Sequence, residues 1–141
     1  MSKEHLFLDT TFVIALLNPN DGLHNKAKLL ESRFKAARIW VTEAVLMEIG
    51  NDMGRKGEKA RKTAFQFIED CYRNNSVNVV SIDRALFLRG LQRYKDRLDK
   101  PVGLVDCISF LVMEERKLKM ALTYDEDFLQ AGFHALMREL N

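Results

Sequence analysis

Three apolar stretches of this chain each carry a single carboxylate where a core residue would be expected. Asp9 is the only charged residue in the segment 6–17, and Asp106 is the only one in the segment 101–113. Asp125 directly follows a third apolar run, MALTY. An ionised carboxylate in a dry interior is costly unless a cation or hydrogen-bond donors accompany it. The chain must therefore adopt a fold that gives each of these acids a polar partner.

The three acids have no neutralising neighbours in the sequence. No lysine or arginine adjoins Asp9 or Asp106, and carboxylates that converge in space also repel one another. A hard divalent cation would remove both costs, because such ions take oxygen ligands. We therefore expect Asp9, Asp106 and Asp125 to hold Mg²⁺ or Mn²⁺, and the expected chemistry is on phosphate esters.

The composition is that of one ordinary globular domain spanning residues 1–141. The chain has 47% hydrophobic and 30% charged residues, and 141 residues are enough for a substantial core. The opening MSKEH lacks the apolar segment of a signal peptide, and no apolar run approaches the roughly 18 residues of a membrane span. We expect a cytoplasmic protein in which Cys71 and Cys107 are buried free thiols.

Two segments concentrate the basic residues, although the net charge is only +2. The first contains Arg55, Lys56, Lys59, Arg61 and Lys62, and the second contains Arg89, Arg93, Lys95, Arg97 and Lys100. Such clusters can follow the phosphate backbone of a nucleic acid. Solvated helix ends are the alternative for both clusters. The residues taken as candidates for binding nucleic acid are Arg55, Lys56, Lys59 and Lys62.

The hydrophobic pattern predicts strands that alternate with helices. The predicted strands are 5–8, 39–41, 77–82, 119–123 and 133–136. The predicted helices begin near residue 11, after a Thr10 cap, and continue with 23–37, 43–53, 58–73, 84–95, 104–117 and 126–131. The N-caps expected for two of them are Thr42 and Asp83. This order predicts an α/β fold with a mostly parallel central sheet and helices on both faces.

The predicted fold puts the acids where a ligand would bind. In parallel sheets, ligands bind at the carboxyl ends of the strands. Asp9 follows the first strand, Asp125 follows the fourth, and Asp106 lies near the start of a buried helix. A fourth acid could come from the helix after Thr42, where Glu48 and Asp52 both flank the apolar stripe. The helical wheel does not choose between them, although Asp52 lies nearer the centre of the stripe.

Four motifs in order resemble the PIN domain. They read FLDTTFVIALL, VTEAVLMEIGN, VDCISFLVM and ALTYDEDFLQAGF, and together they extend over essentially the whole chain. More narrowly, they resemble the single-domain VapC-type ribonucleases of bacterial and archaeal toxin–antitoxin pairs. The resemblance implies a metal-dependent nuclease that cuts single-stranded or looped RNA and leaves a 5′ phosphate and a 3′ hydroxyl.

The resemblance also implies roles for particular residues. The four acids are then Asp9, Glu48, Asp106 and Asp125, with Asp127 as a rival for the fourth position. Hydroxyls that line such sites correspond to Thr10, Thr11 and Thr123. The chain departs from the pattern at Gly103 and Val105, where many relatives carry serine and threonine beside the third acid. The resemblance selects Glu48 over Asp52 for the second position.

Each acid also has a structural alternative. Asp9 could be a helix N-cap, Asp106 could complement a helix dipole, and Asp125 could begin a turn. Glu48 could be an ordinary surface glutamate, and Thr123 could be a plain strand residue.

Other functions are open at the level of the sequence. A phosphatase with an aspartyl nucleophile would need a second acid at position 11, where this chain has Thr11. A PIN-like module could bind RNA or a partner without cutting, or a PIN nuclease could act in RNA maturation outside a toxin system. The resemblance implies a homodimer and an antitoxin that binds across the active-site cleft. Phe87, Leu88 and Leu91 would suit a helix-mediated dimer, with core packing as the alternative.

Overall fold

The computed structural model describes residues 3–139, which form five strands and eight helices. In chain order they are β1 (His5–Leu8), α1 (Thr10–Leu17), α2 (His24–Arg33), β2 (Arg38–Thr42), α3 (Glu43–Gly54), α4 (Glu58–Arg73), β3 (Val77–Val80), α5 (Arg84–Lys95), α6 (Leu104–Glu115), β4 (Met120–Leu122), α7 (Glu126–Gln130), β5 (His134–Ala135) and α8 (Leu136–Glu139).

The five strands form one parallel sheet in the order β3-β2-β1-β4-β5. The chain moves outward from β1 to β3 and then returns across the sheet to β4. Because crossovers between parallel strands are right-handed, this reversal moves the later helices to the opposite face. The predicted α/β fold is therefore confirmed, and all of the strand pairs are parallel.

Side chains of the central strand β1 pack against helices on both faces of the sheet. The Phe7 ring lies 6.4 Å from that of Phe128 in α7, which meets Phe110 of α6 edge to face at 4.9 Å between centroids. The next residue, Leu8, lines a cavity with Phe12 of α1. A strand covered on both faces needs apolar side chains at every position, which explains the uninterrupted apolar run before the first acid.

Most of the predicted elements agree with the structure. The side chain of Thr42 accepts from the Val45 amide at 3.2 Å, and that of Asp83 accepts from the Leu86 amide at 2.8 Å, so both predicted caps are confirmed. The start of α1 was predicted one residue late, because Asp9 and not Thr10 occupies its N-cap position.

Several predicted boundaries were too long, and one element was missed. Helix α2 ends at 33 and not 37, β3 ends at 80 and not 82, and α6 ends at 115 and not 117. Lys117 adopts a left-handed conformation with φ 57°, which stops the last of these. The final helix, α8, is not predicted by the sequence pattern, which places its first residue, Leu136, in the strand 133–136.

Helices α5 and α6 pack closely and run in opposite directions. Arg89 pairs with Glu115, and the Arg93 guanidinium pairs with Glu114 at 2.8 Å. Gly90 lies directly against Ile108, and a methyl group at this position would overlap the isoleucine side chain. The antiparallel packing returns the end of α5, and the loop that follows it, to the start of α6.

Predictions about the cysteines and the apolar residues of α5 can also be compared with the structure. Cys71 and Cys107 are free and buried, as expected. Phe87, Leu88 and Leu91 are 41%, 52% and 41% exposed, so core packing is the wrong explanation for them. Among residues 3–139, no helix is both long enough and apolar enough to cross a membrane.

Candidate metal centre

The predicted acids meet at the point where the strand order reverses, between β1 and β4. Asp9 follows β1, and Asp125 follows β4 after two further residues. The Asp9 amide donates to the carbonyl oxygen of Leu122 at 3.2 Å, which ties the two strand ends together. In doubly wound sheets, the crevice beyond such a reversal is where ligands bind.

Two threonines hold the carboxylate of Asp9, which is only 2% exposed. Its Oδ2 accepts from the hydroxyl of Thr123 at 2.7 Å and from that of Thr11 at 3.0 Å. Burial raises the pKa of Asp9, and these two hydrogen bonds oppose the rise. The hydroxyls therefore compensate part of the desolvation cost and orient the carboxylate.

The same two hydroxyls connect the site to the backbone after β4. Each hydroxyl has one proton, which it donates to Asp9, so its oxygen is available to accept. Thr11 accepts from the Tyr124 amide, and Thr123 accepts from the Asp125 amide, both at 3.0 Å. This network sets the position of the turn that carries Asp125 relative to the end of β1.

Glu48 is the acid of α3 that reaches the site. The Thr10 hydroxyl donates to Glu48 Oε1 at 2.6 Å, beside Asp9. Burial raises the pKa of Glu48, and the negative charge of Asp9 adds to the rise. Asp52 instead accepts from Arg55 at 2.5 Å on the exposed side of the helix. The structure therefore distinguishes two acids between which the helical wheel does not choose.

Three carboxylates approach one another closely enough to share an ion. Asp106, Asp125 and Asp127 each offer an oxygen within 4.8 Å of the other two, and within residues 3–139 they form the one such group. Ligands about 2.1 Å from Mg²⁺ lie roughly 3 to 4 Å apart, so a small contraction would place all three on one ion. Their oxygen donors suit a hard divalent cation.

This group contains Asp127, the rival of Asp125 for the fourth acid, and does not contain Asp9. The predicted metal ligands were Asp9, Asp106 and Asp125, and Asp127 was only a rival for one position. The Asp127 amide donates to Asp125 Oδ1 at 2.9 Å, so Asp125 is the N-cap of α7 and Asp127 lies in its first turn. Asp9 lies outside the group of three but near enough for its charge to raise the pKa of Asp106.

The pKa of Asp106 is shifted further from its ordinary value than that of any other group with a stated pKa. Burial, followed by the charges of Asp9, Asp125 and Glu48, raises the pKa of Asp106 from 3.8 to about 8. Because a metal ligand must be deprotonated, a cation that binds Asp106 would compete with a proton there.

No basic side chain neutralises these acids within the part of the chain that the structure describes. The ion pairs between residues 3 and 139 use other acids, namely Asp52, Glu69, Glu114, Glu115 and Glu139. A concentration of unpaired, partly buried carboxylates is destabilising unless a cation binds among them. This arrangement fits a divalent metal.

The candidate nucleic-acid residues do not lie in the group of carboxylates. Arg55, Lys56, Lys59 and Lys62 are exposed around the turn between α3 and α4. Residues of the second basic segment line the narrow cleft beside Asp127 instead: Arg93, Arg97 and Lys100. Their position depends on how α5 packs on α6.

The structure shows two further features near the site. The Arg138 guanidinium lies 4.2 Å from the centre of the Tyr124 ring, and its Nε donates to the Tyr124 carbonyl at 2.5 Å. Arg138 belongs to α8, so the sequence carried no signal for this contact. At Gly103, a β-carbon would lie 3.8 Å from Asp106 Oδ2, an ordinary contact distance that leaves room for a side chain.

The structure places a group of carboxylates beyond the carboxyl ends of β1 and β4 in a parallel α/β fold. The family model of the PIN domain matches residues 6–134, and the chain belongs to the PIN domain family. No curated protein matches the sequence.

Solved structures with the same fold include a toxin. The chain is similar to Mycobacterium tuberculosis VapC20, described as a toxin that cleaves the sarcin–ricin loop, with 27% identity, a TM-score of 0.79, and coverage of 92% of this chain and 97% of that one. FitAcB from Neisseria gonorrhoeae matches with 12% identity, a TM-score of 0.66, and coverage of 96% and 99%. DNA-bound VapBC from Salmonella typhimurium matches with 17% identity, a TM-score of 0.59, and coverage of 94% and 96%. The last two show likeness of fold alone.

Proposed function

We propose that this chain is a metal-dependent endoribonuclease that hydrolyses phosphodiester bonds of RNA as the toxin of a toxin–antitoxin pair. The observation that carries the proposal is the set of unpaired acids at the reversal point of the sheet, with Asp106, Asp125 and Asp127 within 4.8 Å of one another. Similarity to VapC20, a loop-cleaving toxin, supports a nuclease.

In this proposal the acids have different roles. Asp9, Asp106 and Asp125 hold Mg²⁺ or Mn²⁺, and Asp127, which lies within 4.8 Å of Asp106 and Asp125, is a further candidate ligand. The cation, when bound, supplies an acidified water and neutralises charge on the phosphate oxygens. Glu48 orients the attacking water and accepts its proton, since burial raises its pKa and makes it a better base.

The threonines position these acids and do not react. Thr11 and Thr123 donate to Asp9, and Thr10 donates to Glu48, so each carboxylate is oriented before substrate arrives. Mutation of hydrogen-bonding partners of this kind commonly lowers metal affinity or activity by about 10- to 100-fold.

The test is cleavage of a labelled RNA pool by purified protein with Mg²⁺, Mn²⁺ or EDTA. Cleavage should require the cation and should be absent from the Asp106→Asn variant. Asp52→Asn is the matched control, because it makes the same chemical change on the exposed side of α3 and should leave cleavage intact. Cleavage by Asp106→Asn at the wild-type rate would refute the assignment of the site.

The basic turn between α3 and α4 is proposed to contact RNA phosphates. Arg55 is paired with Asp52, which leaves Lys56, Lys59 and Lys62 as the stronger candidates. A double variant, Lys59→Glu with Lys62→Glu, should weaken RNA binding and reduce its dependence on salt. An unchanged salt dependence would remove these lysines from the interface.

The proposed assembly is a homodimer that also binds an antitoxin. The exposed apolar residues of α5, Phe87, Leu88 and Leu91, supply a surface that an isolated monomer would leave in water. Sedimentation of the wild type should give a dimer, and Leu91→Glu should shift it toward monomer. A wild-type monomer at all accessible concentrations would contradict the proposal.

A further inference from the structure

A small cleft beside the acids is lined by three basic side chains. Arg93, Arg97 and Lys100 lie on one side of it, and Asp127 with the end of α7 lies on the other. The space that remains is about 20 Å³, which is enough for one water molecule or one phosphate oxygen. Positive charge is therefore concentrated directly next to the candidate metal centre.

The packing of α5 on α6 holds this cleft in place. The Arg93 guanidinium pairs with Glu114 at 2.8 Å and lies 5.4 Å from the centre of the Phe110 ring, so its position is set by α6. The loop after α5 then turns back, with the Lys100 amide donating to the Arg97 carbonyl at 3.0 Å. This turn brings two cations of the loop to the same cleft.

The two loop cations are available to a ligand. Both side chains are exposed, and among residues 3–139 neither Arg97 nor Lys100 takes part in an ion pair. Lys100 and Asp127 line the same cleft, and no ion pair joins them.

We propose that Arg97 and Lys100 bind a phosphate of the RNA strand next to the phosphate that is cleaved. The inference rests on the proposed ribonuclease function and names the surface by which the strand approaches the acids. Guanidinium and ammonium groups are the donors that recognise phosphate oxygens. The cleaved phosphate would lie at the metal ion, whose positive charge the acids require. Arg97 and Lys100 therefore bind a neighbouring phosphate.

The test is the salt dependence of binding of a single-stranded RNA oligonucleotide in EDTA, where no cleavage occurs. Each phosphate contact contributes about 0.7 to the slope of log K against log salt for single strands. The double variant Arg97→Gln with Lys100→Gln should lose about 0.7 of that slope, the contribution of one phosphate. The conservative pair, Arg97→Lys with Lys100→Arg, should retain it.

A matched control variant makes the same change of charge at the amino ends of the strands. Arg33 and Lys35 are exposed and precede β2, so they lie at the amino ends of the strands, away from the acids. Arg33→Gln with Lys35→Gln should keep the wild-type slope. Equal losses in both double variants would mean that only net charge matters, and that result would overturn the proposal.

If Arg97 and Lys100 served only to screen the carboxylates, the result would differ. Their removal would tighten Mn²⁺ binding, measured by calorimetry, and would leave the RNA slope unchanged, which also overturns the proposal. Because binding is measured without a cation, the two proposals can fail separately. Wild-type protein that binds RNA through this loop but never cuts it would refute the nuclease and leave the phosphate site standing.

Discussion

The acid site should make the metal-free protein less stable as pH rises, and Asp106→Asn should remove much of that loss. Burial and four neighbouring carboxylates raise the pKa of Asp106 to about 8, far above its ordinary value of 3.8. Between these two values the folded protein holds a proton that the unfolded chain has released. The stabilising contribution is complete below the unfolded pKa and is lost as pH rises through the folded one.

The size of the effect follows from the pKa difference. Each pH unit in this window removes about 1.4 kcal/mol from the free energy of unfolding. Between pH 5 and pH 8 the loss from Asp106 approaches about 4 kcal/mol, which is an upper limit because Asp9 and Glu48 take up part of the coupled proton. An asparagine at position 106 does not titrate, so the variant should be more stable than wild type by an amount that grows with pH.

The assay is urea denaturation in EDTA at pH 5, 6, 7 and 8, followed by circular dichroism. Wild type and Asp106→Asn should differ least at pH 5 and most at pH 8. Asp52→Asn, a change on an acid paired with Arg55 on the surface, should follow the wild-type curve. A difference between wild type and Asp106→Asn that changes by less than about 1 kcal/mol over this range would refute the electrostatic reasoning.

Three further predictions concern the same scaffold and site. Gly90→Ala should destabilise the protein by about 1 to 3 kcal/mol in the same denaturation assay, because the methyl group overlaps buried Ile108. Gly50→Ala, whose added methyl group would lie 3.8 Å from its nearest neighbour, should be neutral or stabilising. Gly103→Ser should lower the pKa of Asp106, because the new hydroxyl can donate to that carboxylate. NMR titration measures the change, and an unchanged pKa would contradict this placement of the hydroxyl. Saturating Mn²⁺ should raise the melting temperature of wild type more at pH 8 than at pH 6, and an equal shift at both would argue against displacement of a bound proton.

Much of the fold was predictable because its signals are local. The apolar run before Asp9, the caps at Thr42 and Asp83, and the alternation of strands with helices each depend on a few neighbouring residues. Short elements without a strong period were not predictable in the same way. Helix α8 has four residues, and its position depends on contacts with α2 and β4 more than on its own sequence.

The sequence by itself determined that isolated acids would stand at the ends of buried strands, because an apolar run interrupted by one carboxylate is visible without any structure. Only the tertiary structure decided which acids and donors meet. The hydroxyl of Thr123 and the carboxylate of Asp9 are 114 positions apart, and their 2.7 Å contact exists only because β1 pairs with β4. The same holds for Asp127 in the group of carboxylates and for Lys100 beside it, since each distance depends on how helices pack across a sheet and not on spacing along the chain.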